Sequence, residues 1–416
     1  MNIYVETYGC TANKSDERLL VGLVKHAGHH IVHRLQDADV LVLLTCTVIG
    51  TTEQRMLSRL KAFQKTDKKI IVTGCMPSVQ ADLISSITPN ASLLPSQYIQ
   101  YINDVILGKQ PAFLEMKKIM LPRHFDDVIA PVMIAEGCEQ SCAYCITQFT
   151  RGKLRSFAAK EIVADICSAV RQGCKEIQLT AQDTASFGLD TRTNLGFLLT
   201  QICALKGAFR IRVGMMNPVT VKKNLPSILT AYQHEKIYKF LHLPVQSGDD
   251  EILKKMNRGY TVKEFTRIVQ RFRRTIPTLT LSTDVILGFP TETEEQFQRT
   301  IALLKKIKPD ITNITRFSAR PLTTAKKMKG RIPTQVVKER SKQTSEICST
   351  ISFEKNKEHL GKTYKVLVTE HGKQKTFIGR AENYKPVVLT QPVHLGQYVT
   401  VKIIDAASTY LVGKLI

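Results

Sequence analysis

Between residues 1 and 115 short apolar runs alternate with longer stretches in which apolar residues recur every three or four positions. The short runs NIYVETY, DVLVLLT and KIIVTG have the length and β-branched content of buried strands. The stretch KSDERLLVGLVKHAG puts Leu19, Leu20, Leu23 and Val24 on one helical face, with Ser15 as candidate N-cap and Gly28 as stop. After Cys46, TEQRMLSRLKAFQK predicts a second helix. Strands alternating with helices build βαβ units, so a parallel-sheet α/β domain is expected here.

The same rhythm returns at larger scale between residues 128 and 348. Strand candidates are PVMIAEG, EIQLTAQD, FRIRVGMM, KFLHLPVQ, LSTDVILGF and ITNITRFS, each followed by a helix-length segment. Six such units with right-handed crossovers favour a partial (β/α)6 barrel. A stretch rich in proline and charge, PAFLEMKKIMLPRHFDD, reads as the linker before it. From 352 to 416 the pattern changes to strands without helices: YKVLVTE, TFIGRAEN, KPVVLTQ, YVTVKIID and STYLVGKLI. Five short strands predict a small antiparallel β-barrel. The expected class is α/β, in three domains: 1–115, 128–348 and 352–416.

Composition narrows the function. No segment approaches the roughly 20 consecutive apolar residues of a membrane helix, and MNIYVETYGC has no basic stretch followed by an apolar one. A cytoplasmic protein with no membrane partner is expected. The formal charge of +23, from 59 Lys and Arg against 36 Asp and Glu, creates a field that attracts polyanions, with nucleic acid the leading partner. The tail concentrates Lys362, Lys365, Lys373, Lys375, Arg380 and Lys385 with Tyr384 among them. Lysines neutralise phosphates and rings stack on unpaired bases, so these are candidate RNA contacts.

Ten cysteines in a reducing compartment act as thiols or metal ligands. Cys138, Cys142 and Cys145 form a C-x3-C-x2-C triplet directly after an apolar run, in EGCEQSCAYC. Three thiolates on one loop suit three irons of a 4Fe-4S cluster and leave the fourth open. A zinc site would want a fourth nearby Cys or His, and none follows locally. Cys10, Cys46 and Cys75 are far apart in sequence, yet each ends a predicted parallel strand, in ETYGC, LLTC and VTGC. Strand ends of an open α/β sheet converge on one crevice, so these three suit a second incompletely ligated cluster. Cys167, Cys174, Cys203 and Cys348 fall in helical or linker patterns and read as packing residues.

The two triplets and the order of the three regions resemble the methylthiotransferase family of radical S-adenosylmethionine (SAM) enzymes. Strings carrying the likeness are TYGCTANKSDE, HLPVQSGDDEILKKMNRGYT, STDVILGFPTETEEQF and, in the tail, GRAENYKPV. Within the family, CAYCITQFTRGKLRS and LTAQDTASFGLD are most similar to the archaeal and eukaryotic branch acting on threonylcarbamoyladenosine beside the tRNA anticodon. The resemblance implies an N-terminal cluster domain, a radical SAM barrel and a C-terminal TRAM domain. It implies two 4Fe-4S clusters, one on Cys138, Cys142 and Cys145 that coordinates SAM, the other on Cys10, Cys46 and Cys75 for sulfur delivery. An electron donor and a sulfur source would be needed besides the tRNA anticodon stem-loop. No side chain is expected to act as catalytic acid or base, because an aromatic C–H bond does not ionise near neutral pH. The SAM pocket is expected from Tyr144, Gln182, Asp183, Asn217, Gln246, Ser247 and Asp284. His242 is either a SAM contact or a core histidine, and Arg151 and Arg155 either meet phosphate or the SAM carboxylate, or face solvent.

Two strings depart from the family: GFPGET reads GFPTET, with Thr291 and Glu294 placed to form a capping box, and RPGTPA reads RPLTTA at Arg320 to Ala325. Two other functions compete. One is a radical SAM enzyme acting on a ribosomal protein, against which the basic tail speaks. The other is a noncatalytic RNA-binding protein with structural metal sites, which would normally close each site with four ligands.

Overall fold

The computed structural model describes residues 1–48, 50–114 and 117–416, without the side chain of Thr51. Five parallel strands open the chain: β1 (Asn2–Thr7), β2 (His30–Val32), β3 (Val40–Thr45), β4 (Lys69–Gly74) and β5 (Ser92–Pro95), in the order β2-β1-β3-β4-β5. All of β3 is buried. Its side chains alternate between two apolar layers, Val40, Val42 and Leu44 joining Leu19, Leu20 and Val24 on one face, and Leu41 and Leu43 joining Met56, Leu60 and Phe63 on the other. Helices on both faces explain why this strand reads as a continuous apolar run. The first helix, Thr11–His26, has Cys10 as its N-cap, five residues before the expected Ser15; Ser15 lies buried inside it.

The middle region contributes β6 (Ile129–Met133), β7 (Ala135–Glu136), β8 (Arg155–Ser156), β9 (Glu176–Thr180), β10 (Arg210–Val213), β11 (Phe240–His242), β12 (Thr280–Leu287) and β13 (Ile311–Arg316). The parallel runs β6-β9-β10 and β11-β12-β13 meet at a seam bridged by Ile211 and Ile237. Backbone bonds from Tyr238 N to Ile211 O (2.9 Å) and from Met216 N to His242 O (2.9 Å) extend that seam. Six strands thus follow one another in chain order, as in a partial barrel. β7 and β8 pair separately and bracket the triplet loop. Departing from the expected capping box, the box after GFPTET is Thr293 with Gln296, and Thr291 instead has φ +69°.

The tail forms a closed five-stranded barrel of β14 (Thr363–His371), β15 (Phe377–Arg380), β16 (Pro386–Leu389), β17 (Tyr398–Ala406) and β18 (Leu411–Leu415). One pair, β16 with β18, runs parallel, a departure from the all-antiparallel expectation. Helix Thr334–Lys357 runs unbroken through residue 352. Arg340 ties it to Glu292 (2.9 Å), while Asn356 Nδ2 donates to Ala407 O (2.7 Å). Among the described residues no helix is long and apolar enough to cross a membrane.

Candidate functional site

The triplet loop hangs between β7 and β8 at the carboxyl end of β6. Gly137 makes its entry possible: at φ +83° a Cβ would lie 1.9 Å from Lys153 O, so only glycine fits. Cys138 N donates to Gly152 O (3.1 Å) and Cys145 N to Cys142 O (3.0 Å), closing the loop on itself. From across the barrel, Ala143 N donates to Met256 O (3.0 Å) and Ala325 N to Ala143 O (2.8 Å). Arg258, buried in the MNRGYT string, donates through Nη1 to Cys142 Sγ at 3.2 Å. Burial pushes the Cys138 thiol up to about 12 and raises Cys145 as well. Both therefore need a cation to hold them as thiolates.

The dispersed cysteines meet through their strand ends. Cys75 N donates to Thr45 O (2.9 Å), which sets Cys75 beside the residue preceding Cys46. On the other side Gly9 turns at φ +111°, and a Cβ there would lie 3.3 Å from Cys46 Sγ, so the turn presenting Cys10 crosses Cys46 directly. Asn13 Nδ2 fastens the two ends, donating to Tyr8 O (2.6 Å) and Thr45 O (2.9 Å). Cys46 and Cys75 are buried and Cys10 is exposed. Burial pushes Cys46 up to about 11 and raises Cys75, whereas Arg151 and Thr150 beside Cys75 favour its thiolate.

Arg151 therefore belongs to neither of the environments its sequence position offers. It is 3% exposed, and its Nη1 donates to Asp16 Oδ2 (2.6 Å) and Glu136 Oε1 (2.9 Å), its Nη2 to Asn13 Oδ1 (2.7 Å). Lys118 Nζ completes the group, 3.2 Å from Asp16 Oδ1 and 2.7 Å from Glu136 Oε1. Burial pushes the Glu136 carboxyl up, but Lys118 and Arg151 outweigh it and hold it at about 2. Asp16 follows Cys10, Glu136 precedes Cys138 and Arg151 follows Cys145, so one buried ionic group joins both cysteine sets. Arg155, at the rim, reaches Glu136 Oε2 at 3.5 Å.

The expected SAM residues lie at the barrel's carboxyl end with unequal freedom. Asp183 is engaged through both oxygens: Oδ1 accepts from Ala185 N (3.1 Å) and Asn217 N (3.0 Å), Oδ2 from Thr220 Oγ1 (2.7 Å). Burial nonetheless pushes it up to about 6. Asn217 caps helix Pro218–Tyr232 by accepting from Val219 N, and Ser247 Oγ accepts from Asp249 N (3.2 Å). Gln182 Oε1 accepts from Gly137 N (2.7 Å), tying its strand end to the triplet loop. Asp284 Oδ1 lies 2.9 Å from His242 Nε2 and accepts from Asn313 Nδ2 (2.6 Å). Tyr144 packs against Ala143, Ile252, Met256, Phe289 and Ala325. Gln246 differs from all of these. Held at φ +71° and 9% exposed, it leaves Oε1 buried without a partner, a cost a bound ligand would relieve.

These residues fit the expected groups. Each set offers three thiols, and the barrel end offers an orphaned amide oxygen. Among the described residues no three Cys, His, Asp or Glu side chains are grouped to hold one metal ion; a cube of iron and sulfide takes each thiolate on a different iron and asks for no such convergence. The other cysteines are packing residues where buried: Cys174, Cys203 and Cys348 lie in the barrel core.

Three of the seven expected RNA contacts are not on the surface that RNA would meet. Tyr384 Oη donates to Glu176 Oε1 (2.9 Å), and its ring packs 4.8 Å from Tyr238 and 5.0 Å from Phe240. Arg380 stacks over that ring at 4.9 Å. Lys385 is 4% exposed and binds Asp310 Oδ1 and Asn356 Oδ1, each at 2.8 Å. All three seat the tail barrel on the amino ends of the large barrel's strands, because Glu176, Phe240 and Asp310 stand at or just before the starts of β9, β11 and β13. Lys362, Lys365, Lys373 and Lys375 are exposed. Sequence reasoning missed Asn13, Asp16, Lys118, Glu136 and Arg258; all but Lys118 lie in the strings NKSDE, EGC and MNRGYT, but nothing in them told which residues face inward.

Residues 2–95 match the family described as Uncharacterized protein family UPF0004, residues 132–304 the radical SAM superfamily, and residues 357–416 the TRAM domain. The chain is 41% identical over 430 residues to the probable threonylcarbamoyladenosine tRNA methylthiotransferase of Pyrococcus horikoshii, covering 100% of both chains. It is 32% identical over 429 residues to the threonylcarbamoyladenosine tRNA methylthiotransferase of Homo sapiens, covering 99% of this chain and 73% of that one. Among solved structures, the radical SAM methyltransferase TsrM of Kitasatospora setae with cobalamin and a 4Fe-4S cluster bound aligns with TM-score 0.58 at 11% identity, over 78% of this chain and 73% of that one, a likeness of fold alone.

Proposed function

The chain belongs to the threonylcarbamoyladenosine tRNA methylthiotransferase family, and from that premise we propose how its residues divide the reaction. It is a radical SAM enzyme that converts threonylcarbamoyladenosine in tRNA to the 2-methylthio derivative, and its cofactors are SAM and two 4Fe-4S clusters. In our reading Cys138, Cys142 and Cys145 hold the SAM-coordinating cluster, and Cys10, Cys46 and Cys75 the cluster that serves sulfur delivery. When bound, the first cluster and SAM supply the electron and the 5′-deoxyadenosyl radical that side chains cannot supply.

The chain's own residues do the positioning. Gln246 offers the free acceptor for SAM, with Gln182, Asp284 and Tyr144 around it. Asp183, Asn217 and Ser247 act one step back, holding the strand-end turns. Arg258 supplies positive charge at Cys142, and Arg151 supplies it at Cys75 while clamping the two cysteine loops together. The observation carrying this reading is that one buried group of four charges, Asp16, Lys118, Glu136 and Arg151, reaches both cysteine sets.

The domain bounds 1–115, 128–348 and 352–416 remain our division, with the helix through residue 352 belonging to both neighbours. A cytoplasmic setting, the anticodon stem-loop as binding partner, an electron donor and a sulfur source complete the proposal. Among the tail residues it keeps Lys362, Lys365, Lys373 and Lys375 as tRNA contacts. Mass spectrometry of tRNA nucleosides from cells with and without the protein tests it: the 2-methylthio derivative of threonylcarbamoyladenosine should vanish in the deletion and return with the wild-type chain. Its persistence in the deletion refutes the reading.

A further inference from the structure

The segment RPLTTAKKMKGR, residues 320–331, begins with the RPLTTA departure and contains no acidic residue. Its first half is pinned to both cysteine sets. Arg320 pairs with Glu53, and its Nη2 donates to Thr47 Oγ1 (3.1 Å), next to Cys46. Five residues on, Ala325 N donates to Ala143 O (2.8 Å), between Cys142 and Cys145. Its second half then turns outward. Lys326, Lys327, Lys329 and Arg331 are all exposed, and the turn is held by bonds from Thr291 N to Gly330 O (2.8 Å) and from Arg331 Nη2 to Lys326 O (3.2 Å). Four cations within six residues thus follow directly on the backbone that touches the triplet loop.

We propose that Lys326, Lys327, Lys329 and Arg331 form a phosphate-contacting rim at the mouth of the site, on which the tRNA backbone lies while its base enters between the two cysteine sets. The proposal rests on the tRNA reading above. The tail barrel sits at the opposite, amino-terminal end of the strands, and three of its basic or aromatic residues are spent seating it there. A base delivered to the carboxyl end must bring its flanking phosphates past the near rim, where uncompensated lysines neutralise them and release counterions. A stem's phosphates are spaced regularly along a stiff helix, which suits cations held by a bonded turn. An acidic protein, such as an electron donor, is the competing occupant.

The test uses the full, cluster-loaded chain and tRNA carrying threonylcarbamoyladenosine. Bound tRNA should protect Lys326, Lys327 and Lys329 of the wild-type protein from acetylation. Changing all four residues to Ala should weaken tRNA binding about ten-fold or more near 0.1 M salt and flatten the dependence of log K on log salt by about 3. Iron content reports whether the variant folds; if it does not, the wild-type footprint decides alone. Unchanged lysine reactivity with tRNA bound, or equal affinity and slope in an iron-loaded variant, overturns the rim. Protection by an acidic flavoprotein and not by tRNA overturns it in favour of a protein partner. Wild-type protein that binds tRNA with these lysines protected but makes no methylthio product refutes the proposed function and leaves the rim standing.

Discussion

The two ends of the large barrel use buried charge for different purposes. At the carboxyl end, Asp16, Lys118, Glu136 and Arg151 come from four separated segments and meet beside the cysteine loops. Polar atoms there are left open, with Gln246 Oε1 unpartnered. At the amino end, Lys385 meets Asp310 and Tyr384 meets Glu176, with Tyr238 and Phe240 closing around the ring. Arg212 and Arg380 stack on those rings, each with a buried Nε lacking a partner. Burial of charge is therefore no guide to function by itself; what separates the two ends is whether the buried group adjoins the two cysteine sets. Lesions at the carboxyl end should cost chemistry before stability, and lesions at the amino end stability before chemistry.

The largest effect expected is at the thiols. Cys142→Ala should abolish both 5′-deoxyadenosine release and methylthio product under anaerobic incubation with dithionite, SAM and tRNA, whereas Cys46→Ala should still release 5′-deoxyadenosine and make no product. Wild-type protein should bind about eight irons, and each variant about half. Methylthiolated tRNA at wild-type yield from Cys46→Ala would break the assignment of sulfur delivery to that set.

Arg151→Gln comes next. It leaves Asp16 with Lys118, and Glu136 with Lys118 and the more distant Arg155, and stripping one member from a buried ion group costs about 3–5 kcal/mol. Product should fall at least ten-fold while 5′-deoxyadenosine is still released, because the triplet loop keeps its own closing bonds and Arg258. Parallel loss of both outputs, counted per folded enzyme, would show that Arg151 serves the SAM-coordinating set alone.

At the amino end, Lys385→Met leaves Asp310 buried without its cation. A lower melting temperature is expected, with product per folded enzyme unchanged and both clusters retained. By contrast, changing the exposed Lys362, Lys365, Lys373 and Lys375 to Ala should weaken tRNA binding and leave the melting temperature alone. If the Lys385 variant loses tRNA affinity without losing stability, the seat is an RNA contact after all.

The smallest effect concerns pH. His359, facing Lys362, Lys385, Asp310, Glu358 and Tyr364, is held down to about 4, first by burial and then by the two lysines. Its folded value lies below the unfolded value of about 6.5, so the unfolded chain takes up the proton first. The seat's stability is fully present above pH 6.5 and declines as pH falls towards 4. Amide exchange in β14 should therefore speed up between pH 7 and pH 5, and less so in His359→Gln after correction for intrinsic rates. Equal acceleration in both proteins removes His359 as the cause.

The periodic patterns determined much of this molecule without help. The apolar runs from NIYVETY to STYLVGKLI became strands, parallel in the first two regions and, but for β16 with β18, antiparallel in the tail, because burial on one or both faces leaves a repeat of two or an unbroken run. The eight-residue span of Cys138 to Cys145 was legible because its geometry is local. Even the dispersed Cys10, Cys46 and Cys75 could be paired in advance, since parallel strands must end on the same side of their sheet. Only the tertiary structure decided the rest. Whether Arg151, Tyr384 or Lys385 faces RNA, SAM or protein depends on which segment is laid over it, and the partners lie far away in sequence: Asp16, Glu176 and Asp310 are 135, 208 and 75 positions off. A charged side chain's sequence neighbours carry no record of that encounter, because the desolvation that turns a surface cation into a clamp is imposed by the packing of whole domains.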